Sequence, residues 1–321
     1  MDYRTQKIIA FVISIALAAA ILSLMFFRVW NDLLIAVGET QYRYLFPALL
    51  FSTLSWFMRG YRYQKILHYL MVPASFLFST ACVLLSQTIN LIVPARLGDF
   101  VRVVPLHHDY EATVSQGLSS LIIERLFDVL TVSFLGLIAI VFIIDVPDWF
   151  LSVIVLSLVI TGIGMLFILI SKEWKTKNKY LAFLLNMFHE IRAAALSRNA
   201  ILILAGTSTI IWIFEILVCY FVTLMFQIII PFNLILLAVV IGNLVKAVPI
   251  TPGGIGTYEL ALAATFELGK VPAATATIVS VLDHFIKNFI TLIGGAASIL
   301  YFGTWVIPRI TEIVKEKLSK E

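Results

Sequence analysis

Apolar runs of about 20 residues recur along the chain, separated by short clusters of charge, proline and glycine. A run of that length crosses ~30 Å of hydrocarbon as a helix, and a helix satisfies its backbone hydrogen bonds within one segment. The pattern predicts an all-α, polytopic integral membrane protein forming a single membrane domain over 1–321. Six runs are full spans: 8–27, 44–58, 114–144, 149–171, 200–230 and 273–307. The first is too long for the apolar core of a signal peptide and leads into further spans, so it is expected to be retained. Two more runs, 70–93 and 233–250, need the topology to place them.

Lys and Arg in short loops mark the cytoplasmic side. Four clusters qualify: Arg4 with Lys7; Arg59, Arg62 and Lys65; Lys172, Lys175, Lys177, Lys179, Arg192 and Arg198; and Arg309, Lys315, Lys317 and Lys320. The expected location is the cell membrane, with both termini cytoplasmic. The acidic turn 145–148, containing Pro147, reads as external. The helix 114–144 then runs outward from the side of the Arg59 cluster, so 70–113 makes no net crossing. By the same parity 233–271 makes none either. Both are predicted re-entrant or broken helical elements, whose irregular backbone must be buried in protein or line a cavity.

The two excursions share their punctuation. Pro94-Ala95-Arg96-Leu97-Gly98 marks the first and Pro252-Gly253-Gly254-Ile255-Gly256 the second. A charge cluster follows each within an apolar run: Glu124, Arg125 and Asp128, then Asp283, His284 and Lys287. Glu124 comes 30 residues after Pro94 and Asp283 comes 31 after Pro252. Units so matched, entering from opposite sides, predict inverted repeats over approximately 44–171 and 200–307, with a substrate cavity near the midplane between them.

Charge inside hydrocarbon costs at least ~2.5 kcal/mol per group on insertion scales, so these side chains should face protein or water. Asp283 and Lys287 have the acid-before-base i,i+4 spacing, and Glu124 and Asp128 share a helix face. Arg96 and Arg102 flank the first break, with Asp99 between them, and Lys246 precedes the second. Guanidinium forks suit phosphate. Arg96, Arg102 and Arg125, with Lys287, are therefore candidates for an anionic lipid headgroup, with backbone N–H groups at Gly253, Gly254 and Gly256 adding a helix-terminus anion site. Glu259 and His284 are candidates for a coupling proton. Packing of the paired charges without any traffic past them is the plain alternative.

Composition narrows the function further. The chain has 321 residues, 61% of them hydrophobic and 13% charged, with a net charge of +4. No P-loop, H-E-x-x-H or G-x-S-x-G sequence occurs, and no polar stretch could hold a separate catalytic domain. Work on a lipid would be passive, ion-coupled or powered by a partner. No cofactor, metal site or nucleic-acid partner is expected: His107-His108 beside Asp109 lacks further spaced ligands, and Cys82 and Cys219 sit singly in apolar runs. The stretch 172–198 alternates basic and apolar residues like an amphipathic helix on an anionic leaflet.

Asn90-Leu-Ile-Val-Pro-Ala-Arg-Leu-Gly-Asp99 with Arg102, then Glu124-Arg-Leu-Phe-Asp128, then Pro252-Gly-Gly-Ile-Gly256 with Glu259, resembles the flippase-like transmembrane family, which includes the membrane region of lysylphosphatidylglycerol synthase. The resemblance spans roughly 8–302. It implies about eight membrane segments with re-entrant elements, and a role in moving or holding a phospholipid between leaflets. Lysylphosphatidylglycerol synthases join this region to a cytoplasmic aminoacyl-transferase domain, whereas this chain ends after a short basic tail at Glu321, so aminoacyl transfer is not expected. The expectation is a lipid flippase, scramblase or transporter binding an anionic phospholipid or polyprenyl-phosphate headgroup, acting as a homo-oligomer or beside a lipid-modifying enzyme. The alternatives are an intramembrane lipid-modifying enzyme using the same carboxylates, and a non-transporting partner subunit.

Overall fold

A computed structural model describes residues 3–38, 40–93, 96–141, 148–170, 178–195, 197–248, 250–303, 305–306 and 308–309, and the side chains of all but 3–11, 31–38, 148–149 and 169 among these. Pro94, the turn 145–147, Lys172, Lys175, Lys177 and the tail lysines lie outside the described residues, as do the side chains of Arg4 and Lys7. The chain is an all-α membrane protein, with no strand among the described residues.

The long helices are α1 (Tyr3–Gly38), α2 (Leu45–Tyr69), α6 (Val114–Val141), α7 (Asp148–Ile170), α9 (Arg198–Met225) and α12 (Ala273–Phe302), matching the six predicted spans. Between them lie α3 (Phe76–Ile92), two short helices α4 (Gly98–Val101) and α5 (Val103–Tyr110), α8 (Lys179–Ala195), α10 (Phe232–Ala247) and α11 (Thr257–Leu268). At 17 and 16 residues, α3 and α10 fall short of the ~20 that cross hydrocarbon. Each ends at its proline/glycine break.

The basic cluster Arg59, Arg62 and Lys65 is not a loop. Helix α2 runs unbroken through it, because Arg59 and Arg62 are paired with carboxylates of other helices and need not reach water. Helix α8 packs against α6. Met187, Ile191, Ala194 and Ala195 are buried, while Tyr180, Leu181 and Leu184 are exposed.

The apolar windows of α1 and α7 are only 22% and 17% buried, so these helices flank the bundle and turn most of their surface outward. The centre is built by crossed packing. α2 lies along α9, α3 along α12, and α10 along both α6 and α11. Hydroxyls inside the bundle bond back to their own helices, as Thr80 does to the Phe76 carbonyl at 2.9 Å and Ser280 to that of Ala276 at 2.7 Å.

Small residues let the helices approach. A Cβ on Gly60 of α2 would lie 1.9 Å from Thr80 Oγ1 and 2.9 Å from Thr80 Cα of α3, leaving no room for a side chain. Gly60→Val should lower stability by about 1–3 kcal/mol through overpacking. Unfolding in detergent checks this, and a wild-type midpoint would contradict the close α2–α3 contact.

Candidate functional site

A cavity of about 160 Å³ opens between α2, α3, α6, α9, α10, α11, α12 and the two breaks. One enclosed water needs at least roughly 10–15 Å³, so the cavity has room for several waters or a small polar group. Of the residues singled out in the sequence, Arg96, Arg125, Asp128, Lys246, Gly253, Gly254, His284 and Lys287 line it. Arg102, Glu124, Glu259, Asp283 and Gly256 stand behind them.

The first charge cluster is a buried lattice. Arg62 Nη1 donates to Asp128 Oδ1 at 2.6 Å and to Ser208 Oγ at 2.7 Å, and its Nη2 donates to Glu124 Oε1 at 3.2 Å. Arg102 holds the other oxygen of Glu124, donates to Ser86 and lies over the ring of Tyr63. Arg125 reaches back to Asp99 Oδ2 at 2.8 Å, and Asn90 donates to Asp99 Oδ1 at the same distance. Gly98 opens α4 directly against Ser86 and Asn90 of α3, which brings Asp99 to this cluster.

The second cluster has the expected i,i+4 pair, with Lys287 Nζ 2.9 Å from Asp283 Oδ2. Tyr258 donates to the same oxygen at 2.7 Å, and Lys287 also pairs with Glu215 at 3.4 Å. Glu215 in turn accepts from Arg59 at 3.1 Å and Ser55 at 2.8 Å. His284 bridges Glu259 Oε1 through Nδ1 at 2.7 Å and Lys246 Nζ through Nε2 at 3.0 Å. A lysine ammonium only donates, so Nε2 accepts and Nδ1 carries the proton that goes to Glu259.

The glycine break differs from the expected anion site. Gly254 N–H donates to the Thr251 carbonyl at 3.1 Å and Gly256 N–H to Glu259 Oε2 at 2.7 Å. Glu259 caps α11, complementing its N-terminal dipole and taking the Gly256 N–H, while the Thr251 carbonyl takes that of Gly254, so neither is left for a ligand. Gly254 serves otherwise: at φ 78° it would be strained with a side chain, and a Cβ there would strike the stem of Lys246. Its bareness lets Lys246 lie across the break.

Counting the connected groups among the described residues, Arg59, Arg62, Arg96, Arg102, Arg125, Lys246 and Lys287 are seven cations, and Asp99, Glu124, Asp128, Glu215, Glu259 and Asp283 are six carboxylates. With His284 neutral, one positive charge is left over. The surplus sits at the breaks. Arg96, held at φ 53°, donates to the backbone carbonyl of Lys246 at 3.1 Å, and neither it nor Lys246 has a carboxylate partner among the described residues.

Sequence reasoning gave Arg59 and Arg62 to a loop and passed over Glu215, Tyr258, Trp56 and Trp212. Glu215 carried a usable signal, since a lone carboxylate in the run 200–230 is a site candidate by itself.

Residues 9–295, which include every residue lining the cavity, match the model of the lysylphosphatidylglycerol synthase transmembrane region. The chain belongs to that family. Proteins similar to it include glycosyltransferase AglD of Haloferax volcanii, 28% identical over 92% of this chain and 54% of that protein. This chain therefore spans about half the length of that relative. A UPF0104 membrane protein of Methanocaldococcus jannaschii is 30% identical over 65% of this chain and 91% of its own length. Another, from Methanothermobacter thermautotrophicus, is 21% identical over 71% of this chain and 76% of its own.

Glu124 holds two fully buried arginines, and breaking such a pair leaves an uncompensated buried charge. Glu124→Ala should cost about 3–5 kcal/mol, read as a lowered unfolding midpoint. Stability equal to wild type would contradict the lattice.

Proposed function

We propose that the chain receives the phosphate of a membrane lipid in this cavity and passes it between leaflets, as a flippase or scramblase. The observation that carries the reading is the surplus positive charge at Arg96 and Lys246, on the cavity wall and beside both breaks. An unmatched cation at membrane depth is costly, and a phosphate oxygen offsets it. The paired charges behind these two residues hold their surroundings in place. In this reading the headgroup contacts are Arg96, Lys246, Arg125 and Lys287, with Arg102, Glu124, Asp128, Glu259, Asp283 and His284 positioning them.

The short helices α3 and α10 are taken as re-entrant elements of two inverted repeats. Their reciprocal packing supports this, since α3 of the first half lies on α12 of the second and α10 of the second on α6 of the first. Movement of one half against the other would open the cavity alternately to each side. A relative named as a glycosyltransferase favours a lipid of the kind that carries or accepts sugar, such as a polyprenyl phosphate.

Translocation of fluorescent or quenchable phospholipids and polyprenyl phosphates in proteoliposomes tests the reading. Arg96→Gln combined with Lys246→Gln should slow movement at least about tenfold, as loss of a charge-assisted hydrogen bond of ~1.5–3 kcal/mol implies. Folded wild-type protein that moves no lipid, or a double variant as fast as wild type, would overturn it. A covalently altered lipid in the same vesicles would point instead to the intramembrane enzyme.

A further inference from the structure

We propose that a proton enters this cavity with each phosphodiester lipid that binds there, that Lys246 carries it, and that the loaded and the empty cavity are thereby both neutral. This rests on the headgroup reading of the cavity and adds to it the ion that accompanies the lipid.

The two lysines of the cavity wall differ in what holds their protons. Lys287 lies 2.9 Å from Asp283 and 3.4 Å from Glu215, so two carboxylates keep it an ammonium. Lys246 has His284 Nε2 at 3.0 Å and no carboxylate partner among the described residues. The imidazole is committed as an acceptor on that side. Its Nδ1 proton goes to Glu259 Oε1 at 2.7 Å, and Glu259 is fixed in turn by the Gly256 N–H at 2.7 Å. A neutral amine still donates an N–H to Nε2, so Lys246 can give up a proton without breaking this chain. Arg96, the other cation without a carboxylate, cannot do so, because a guanidinium does not deprotonate in proteins.

The other charged groups around the pair are already matched. Glu215 of α9 is paired with Arg59 and Lys287, Asp283 of α12 with Lys287, Arg125 of α6 with Asp99, and Asp128 with Arg62. Helix α3 carries no charged residue, and Arg28 of α1 is taken up by Glu267 of α11. The ring of Tyr258, also on α11, lies 4.5 Å from that of His284 and 5.5 Å from Lys246 Nζ, and its hydroxyl donates to Asp283.

Charge then sets the order of events. With Lys246 protonated the connected groups carry one positive charge in excess, which is costly at membrane depth, and with Lys246 neutral they carry none. A phosphodiester brings a single negative charge. As its oxygen reaches Lys246, an N–H bond forms there from a proton of cavity water. When the lipid leaves, that bond breaks and the proton returns to water. Lys246 and His284 both line the cavity, so the exchange needs no opening of the bundle. Lipid and proton move together, with no net charge carried.

Isothermal titration calorimetry of the full chain in detergent with a short-chain phosphatidylglycerol, repeated in buffers of different ionisation enthalpy, counts the protons taken up per lipid bound. The phosphodiester itself does not titrate near neutrality, so any uptake belongs to the protein. The expected result is uptake rising to about one proton per lipid between neutrality and about pH 10. Affinity should fall about tenfold per pH unit where uptake reaches one. In Lys246→Arg, whose side chain keeps its proton, uptake per bound lipid should drop to near zero whatever the affinity, and Lys246→Gln gives the same readout should the arginine not fit. Wild-type binding without proton uptake from about pH 6 to 10, or uptake unchanged in both variants, would overturn the inference and leave the phosphate reading standing. Wild-type protein that binds no phosphatidylglycerol would overturn the inference and, if polyprenyl phosphate fails to bind as well, the headgroup reading with it.

Discussion

Charge pairing at membrane depth is the constraint on which this fold depends. A single ionised group in hydrocarbon is expensive, so each must find its opposite on a neighbouring helix. Those pairings fix which helices touch. Arg62 between Glu124 and Asp128 binds α2 to α6. Glu215 binds α9 to α2 through Arg59 and Ser55, and to α12 through Lys287. His284 ties α12 to α11 through Glu259 and to α10 through Lys246. Ion pairs of this kind add little net stability over apolar packing, but they penalise every arrangement that leaves a member alone.

The breaks are where that pairing runs out. Helices α3 and α10 are only 17 and 16 residues long, and at the breaks after them Arg96 and Lys246 lie beside the cavity without carboxylate partners among the described residues. Bare backbone at Gly254 makes space for the Lys246 stem, and the left-handed backbone at Arg96 aims its guanidinium at the Lys246 carbonyl. Sites of this type need irregular backbone, which a membrane protein tolerates only inside protein or around water. Structural necessity and the proposed headgroup contacts therefore coincide at the two proline/glycine motifs.

Much of this was legible in the sequence, for physical reasons. Apolar runs of spanning length announce helices, and the i,i+4 spacing of Asp283 and Lys287 announced their pair, found at 2.9 Å. What escaped was everything that depends on a distant partner. Arg59 and Arg62 look like a cytoplasmic loop until Glu215 and Asp128, 156 and 66 residues further on, are seen to neutralise them. The N–H groups of Gly254 and Gly256 looked free because Glu259 as a cap, and the turn closed by Thr251, are features of the folded backbone. Trp56 and Trp212 could not be told from lipid-facing aromatics by spacing alone. The cavity needed all seven helices at once.

The most direct test of the account is where a bound lipid places its phosphorus. Cryo-electron microscopy of the protein in nanodiscs containing a phosphate lipid would locate it. The account predicts phosphate density within about 4 Å of both the Arg96 guanidinium and the Lys246 ammonium, absent from the Arg96→Gln, Lys246→Gln double variant. Lipid phosphates found only around the outer helices, with the cavity empty or holding an acyl chain, would contradict it.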